Sequence, residues 1–218
     1  VCEKPHVKCG ECPNQAFLPQ KADGVLDHLQ GRHVIGVYPM LRDETCWFLA
    51  ADLDKSCWRE DVLAFTETCR RNSVPYAIER SRSGNGANVW FFFSNPIAAA
   101  TARKMGSYLI TETMARRHQL SMASYDRLFP NQDTMPRGGF GNLIALPLQH
   151  AARQHGNSVF VDYASGNWCE GLTAYLADHL IKEQQGRGAG YRRATLQKYA
   201  DYAGKQKDFP LTTFRSRH

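Results

Sequence analysis

The amino-acid sequence predicts strands interspersed with helices, an α+β or α/β protein, on a sheet that is not purely parallel. Three stretches carry that expectation. "CWFLAADLD" (46–54) is continuously apolar until its two aspartates, as a strand buried on both faces requires. "REDVLAFTETCRRN" (59–72) places Val62, Phe65 and Cys69 at helical spacing, with acids early and arginines late, the order a helix dipole favours. "VPYAIER" and "ANVWFFF" flank a Gly-rich loop within 75–93 and read as a hairpin, which makes two strands antiparallel.

The other elements follow in order. Residues 1–33 are polar and rich in Cys, His and Lys, with no sustained period, and read as a small appended module. "VIGVYPML" (34–41) is strand-like. A long helix is expected from Pro96 to about His118, with Met105, Tyr108 and Leu109 on one face. "GNLIALPLQ" (141–149) and "SVFVDY" (158–163) are further strands. "GLTAYLADHLIK" (171–182) aligns Leu172, Tyr175, Leu176, His179 and Leu180 on a helical face, and "QQGRGAG" (184–190) reads as a flexible joint. The implied organisation is a module over 1–33, a core over 34–165 and a helical extension over 166–218.

Composition narrows the function classes. A chain of 218 residues with 43% hydrophobic and 22% charged residues can bury one sizeable core plus a small appendage. No apolar run reaches the roughly eighteen residues of a membrane span, and no secretion signal is visible. Lys and Arg number 27 against 21 acids, and the resulting +6 suits a polyanionic partner. The seven cysteines, at 2, 9, 12, 46, 57, 69 and 169, are too unevenly spaced for a disulfide framework. Cys46 and Cys69 read as small core residues, and the chain as reduced and cytoplasmic.

Four features bear chemistry. On a strand, Asp52 and Asp54 project to one face while Leu53 packs opposite, with alpha carbons roughly 6.5–7 Å apart. That spacing lets two carboxylates share a pair of divalent ions about 3.5–4 Å apart. The alternative is a strand end running into solvent. The loop "SRSGNGANVW" (81–90) lacks the Lys and the following helix of a phosphate-binding P-loop, and it lacks the helix of a dinucleotide fingerprint. It is either a plain hairpin turn or one whose backbone N–H groups approach an anion, with Arg80 and Arg82 beside it. Cys2, Cys9 and Cys12 have the spacing of a zinc knuckle. His28 would complete a Cys3His site, with His6 and His33 as competing ligands. Finally, "SYDRLFPNQDTMPRGGFGNLIALPLQ" (124–149) holds Asp126, Asp133, Arg127 and Arg137 before an apolar strand, the composition of a folded loop near a site.

In this order "FLAADLD", "ERSRSGNGANVWFFF" and "SYDRLFPNQDTMPRGGFGNLIALPLQ" resemble the archaeo-eukaryotic primase superfamily, most closely the primase-polymerase domain of TOTE conflict systems, over about residues 1–165. The resemblance implies an α+β fold, with an RRM-like mixed sheet as catalytic platform, packed helices and a small zinc module. It implies primer synthesis on single-stranded DNA from ribo- or deoxynucleotides, with Mg²⁺ or Mn²⁺ as catalytic ions, structural Zn²⁺, and a helicase domain or subunit as a partner. Asp52 and Asp54 match the metal-binding DxD. Ser83, Gly84, Asn85, Gly86 and Asn88 match the turn that holds the nucleotide triphosphate. A third acid precedes the "LIALPLQ" strand by about a dozen residues, an interval that Asp133 fits better than Asp126, leaving Asp126 a supporting acid. Arg137 and Asn142 lie where nucleotide contacts are placed, and Arg80 and Arg82 are candidates for phosphate charge. Trp90 to Phe93 read as core more readily than as base-stacking platforms.

Position 88 departs from the pattern, being Asn where the family has His. A protonated His donates a charge-assisted hydrogen bond, roughly twice as strong as the neutral one an Asn offers. A weakened primase-polymerase is therefore expected. An impaired zinc-containing module that binds single-stranded DNA and nucleotide, and a two-metal nuclease on the same acids, are the alternatives.

Overall fold

A computed structural model of the protein describes residues 22–54, 56–116, 124–137 and 141–161. In chain order these form α1 (Ala22–Leu29), β1 (Gly36–Val37), β2 (Thr45–Asp54), α2 (Trp58–Arg71), β3 (Ala77–Arg80), β4 (Gly86–Ala98), α3 (Ala99–Arg116), β5 (Tyr125–Phe129), β6 (Ile144–Ala145), α4 (His150–Arg153) and β7 (Val159–Val161). Cys2, His6, Cys9, Cys12, the helix expected over 171–182 and the joint over 184–190 lie outside the described residues.

The strands order as β5-β2-β4-β3-β7 in a five-stranded sheet, and β1 pairs with β6 in a two-stranded one. Each of these pairings is antiparallel, so among the described strands the expected mixed sheet is antiparallel throughout. The reason is interleaving. Helix α2 carries the chain from β2 to β3, and α3 carries it from β4 to β5. Each crossover skips one strand, so parallel partners never become neighbours, the arrangement of split βαβ units.

One face of the sheet meets both long helices. Leu49, Ala51 and Leu53 of β2 and Val89 and Phe91 of β4 pack there with Val62, Phe65 and Cys69, the periodic positions of α2. The Phe65 and Phe91 rings meet edge-on at 6.0 Å. Burying each large apolar side chain in this layer contributes about 1.5–3 kcal/mol. Cys46 and Cys69 are both buried, and burial pushes their thiols up to about 11 and about 12, as small core residues require.

Helix α3 differs from expectation in its start and at Tyr108, while Leu109 and Met105 face the core as expected. It begins at Ala99 because β4 runs on through Pro96, pairing Ile97 with Cys46 and Ala98 with Thr45 beyond a bulge. Its buried side is Ala99, Ala102, Gly106, Leu109, Ile110 and Thr113, while Tyr108 is 55% exposed. Small residues bring the helix close to the sheet. A methyl at Gly106 would come within 2.8 Å of Leu49 and 2.9 Å of Leu128.

The opposite face carries a second cluster of Ala50, Ala77, Trp90, Phe129 and Ile144, with Phe48 and Phe92 against it. The Trp90 and Phe92 rings stack at 5.9 Å. Ile144 of β6 and Val37 of β1 join this cluster, so the small sheet covers that end of the face. Trp90 and Phe91 are each 2% exposed, core as expected.

Within the segment expected to lack a period, residues 22–29 form a helix fastened to the core. Arg153 donates to the Leu29 carbonyl at 3.2 Å, and His28 is 1% exposed.

Candidate active site on the open end of the sheet

Alternation along β2 decides where its acids go. Leu53 is buried in the helix-facing layer, so Asp52 and Asp54 project from the other face, both half-buried. The register then lines up one row across the sheet. Arg127 of β5 opposes Asp52, Asp52 opposes Asn88 of β4, Asn88 opposes Glu79 of β3, and Glu79 opposes Phe160 of β7. One step outward, Asp54 faces Gly86, the first residue of β4.

Gly86 is glycine for lack of space. A Cβ there would sit 2.6 Å from the Leu53 carbonyl oxygen and 3.0 Å from the Asp54 alpha carbon. Gly86→Ala should push β4 away from β2 beside both acids and cost about 1–3 kcal/mol, read as a lowered chemical-denaturation midpoint. An unchanged midpoint would mean the strands part without strain.

The turn between β3 and β4 is closed from within. Ser81 N–H donates to the Gly86 carbonyl and Gly84 N–H to the Ser81 carbonyl, each at 2.9 Å. Gly84 takes φ +79°, the left-handed region that favours glycine. Ser83 Oγ accepts from Asn85 N–H at 3.3 Å, and Arg80 Nε donates to the Gly84 carbonyl at 3.1 Å. Arg80 thus braces the turn, while Arg82, Ser83 and Asn85 are exposed on it.

The end of β2 is pinned from the helix side. Asp54 N–H donates to the Ser124 carbonyl at 2.7 Å. Ser124 in turn donates through its hydroxyl to Asp61 Oδ2 of α2 at 2.7 Å, and both groups are buried.

The acids after α3 separate into two environments. In β5, Tyr125 opposes Leu53 and Arg127 opposes Asp52, which leaves Asp126 as the extra residue of a bulge. Asp126 Oδ2 accepts from Arg127 Nε at 2.5 Å. The Arg127 guanidinium is held above its ordinary pKa first by that bond, with the charges of Asp126, Asp52 and Asp54 adding to it. Asp126 bonds this guanidinium directly, and the charges of Asp52 and Asp54 act on it. Asp133 instead pairs with Arg103 of α3, the helix on the other side of the sheet. Arg137 is exposed and Asn142 half-buried in the segments beyond β5.

Glu79 went unremarked in the sequence because a single acid in a short strand carries no pattern. It is 2% exposed. Its Oε2 accepts from Trp90 Nε1 at 2.8 Å and Asn88 Nδ2 at 3.2 Å, and its Oε1 from Ser158 Oγ at 3.3 Å. Burial pushes its carboxyl up to about 7, with a further push from Asp52 and partial relief from the three hydrogen bonds.

His28 does not fit the zinc site assigned to it. Its Nε2 lies 3.0 Å from the Pro147 carbonyl and its Nδ1 accepts from Ile35 N–H at 3.0 Å. Burial lowers its pKa, so it is a neutral imidazole with both nitrogens spent on the fold. Among the described residues no three His, Cys, Asp or Glu side chains gather closely enough to hold a metal. Asp52 and Asp54 alone, two oxygen-donor side chains on one strand face, still suit a hard divalent ion.

Fold and site together define an α+β protein whose antiparallel sheet presents paired acids and a glycine turn at one end of one face. The chain belongs to the archaeo-eukaryotic primase domain family of the TOTE conflict system, whose family model matches residues 1–185. No curated protein matches the sequence. Membership implies primase-like nucleotidyl transfer and, as substrates, nucleotides and nucleic acid. Among the described residues no helix is long and apolar enough to cross a membrane.

Proposed function

We propose that the protein extends or initiates nucleic-acid primers on a single-stranded DNA template, and that Asp52 and Asp54 hold the catalytic divalent ions. The observation that carries this reading is the placement of both acids on one face of a central strand, directly beside the glycine turn. When bound, Mg²⁺ or Mn²⁺ supplies a lowered pKa at the attacking 3′-hydroxyl and charge neutralisation at the departing pyrophosphate. The chain's own residues position and balance charge, which is most of what phosphoryl transfer needs. Arg82, Ser83 and Asn85, exposed on the turn, receive the triphosphate, with Arg137 and Asn142 as further contacts. Asn88 stands between Asp52 and Glu79 as a neutral donor where the family pattern has His.

For a third carboxylate Asp133 has the interval that the sequence favours, and Asp126 is a competing candidate because it bonds the guanidinium that also feels Asp52 and Asp54. Either would have to move toward Asp52 and Asp54 to share an ion with them. For structural zinc, Cys2, Cys9 and Cys12 remain the candidate thiolates, and the fourth ligand passes from His28 to His6 or the exposed His33. A helicase partner remains part of the proposal.

A second reading, an impaired module that binds DNA and nucleotide, is favoured by one observation: Asn88 already spends an N–H on Glu79. Labelled template, nucleotides and Mn²⁺, supplied to the protein and to Asp52→Ala side by side, separate the readings. Extension by the parent alone supports polymerisation, binding without extension supports the module, and template shortening supports a nuclease. Equal extension by both proteins would sink the enzymatic reading.

A further inference from the structure

We propose that Glu79 is the positioning residue for the side chain at position 88, and that it fixes which hydrogen-bonding group that side chain presents beside Asp52. The inference rests on the nucleotidyl-transfer reading of the site and concerns a residue two strands away from its acids.

Glu79 ties Asn88 to two further groups of the fold. Once ionised, the Glu79 carboxylate only accepts hydrogen bonds, so in that state it faces the NH₂ of Asn88 and not its carbonyl oxygen. It therefore sets the amide's orientation: one N–H points to Glu79, and the carbonyl oxygen and second N–H are left for the site. The same Oε2 is anchored by the buried indole of Trp90, and Oε1 by Ser158 on the segment leading into β7. Trp90 lies on β4 with Asn88, and Ser158 precedes β7, so two strands hold the carboxylate in place when the Asn88 side chain turns.

A carboxylate here is chemically excessive for Asn. Its three donors are a carboxamide, an indole N–H and a hydroxyl, all neutral. Glutamine would satisfy all three, taking Asn88 and Trp90 on its oxygen and giving an N–H to Ser158. Burying a charge among neutral donors costs free energy that an amide would not. The charge makes sense if position 88 is a seat for a protonatable ring. A carboxylate behind an imidazole fixes its orientation and stabilises its cation, leaving the outer N–H as a charged donor. Glu79 is then one half of such a pair, with Asn standing where the ring would be.

The test is a double-substitution cycle on the full chain: parent, Asn88→His, Glu79→Gln and the combination. It measures nucleotide Kd in the presence of Ca²⁺, and kcat and KM for incorporation with Mn²⁺. Folding is checked by denaturation midpoint, and Asp52→Ala serves as the inactive control. Asn88→His should tighten nucleotide binding about tenfold, the difference between a charged and a neutral hydrogen bond, with KM moving more than kcat. Glu79→Gln alone should change Kd by less than about threefold, because the amide still orients Asn88. In the combined protein the tenfold gain should vanish.

An equal gain with and without Glu79 would overturn the positioning role and reduce Glu79 to a structural residue, while leaving the proposed function standing. No gain from Asn88→His in the presence of Glu79 would also overturn it. If none of the four incorporates nucleotide above Asp52→Ala, the functional reading falls and this inference falls with it.

Discussion

Asp126→Asn should lower nucleotide incorporation by at least about a hundredfold, while Asp133→Asn should leave it within about threefold. The argument is geometric. Asp126 is the bulge residue of β5, which pairs directly with the strand carrying Asp52 and Asp54. A bulge adds one residue without moving the strand away, and such insertions re-aim a side chain that regular alternation would send to the other face. Its carboxylate bonds Arg127, whose guanidinium also feels Asp52 and Asp54. If Asp126 joins Asp52 and Asp54 when the divalent ions bind, its loss removes a ligand and leaves the charge of Arg127 less compensated beside the other two acids. Asp133, 57% exposed at its side chain and paired with Arg103 on the helix-covered side, has no such place. Its loss costs at most an exposed ion pair, worth about 0–1 kcal/mol. Both variants keep the residue's shape, so parallel denaturation midpoints will show whether activity is lost by chemistry or by unfolding. A large loss from Asp133→Asn with Asp126→Asn active would support the assignment that sequence spacing favours.

The contrast between the two acids marks where the sequence was legible. Strand β2 could be read because burial on both faces leaves an unbroken apolar run, and its two acids then needed a reason. Helix α2 could be read because large side chains mark its stripe: Val62, Phe65 and Cys69 are all fully buried. The hairpin was written in its glycines. Helix α3 was less legible because Ala99, Ala102, Gly106 and Thr113 share its contact stripe with Leu109 and Ile110, while the large Tyr108 is exposed. His28 shows the same limit from the other side. A His near three cysteines has ligand spacing, yet its two nitrogens are taken by Pro147 and Ile35, and the Pro147 partner lies far along the chain. Glu79 and the β5 bulge are products of register, and register follows from pairing in three dimensions that no local spacing records.

Glu79→Gln should stabilise the protein increasingly as pH rises, with almost no effect near pH 4.5 and about 3 kcal/mol above pH 7. The sign follows from proton counting. Burial, first among the causes, raises the folded-state carboxyl from 4.5 to about 7. Below pH 4.5 both folded and unfolded states hold the proton, and Glu79 contributes no pH dependence. Between the two values the unfolded chain releases it while the folded protein keeps it. The folded state then binds more protons, so stability falls as pH rises, by about 1.4 kcal/mol per unit. Above about 7 both states are ionised and the full penalty of a buried charge persists. The amide carries no proton to lose and meets Asn88, Trp90 and Ser158 with the right donor and acceptor groups, so it avoids that penalty at every pH. Urea denaturation of both proteins at several pH values between 4.5 and 8 reads the difference directly. A gap that widens with pH confirms a carboxylate buried at a cost. A constant gap across the range would mean that the folded protein stabilises the Glu79 charge as well as water does. In that case a neutral Asn at position 88 would leave nothing uncompensated.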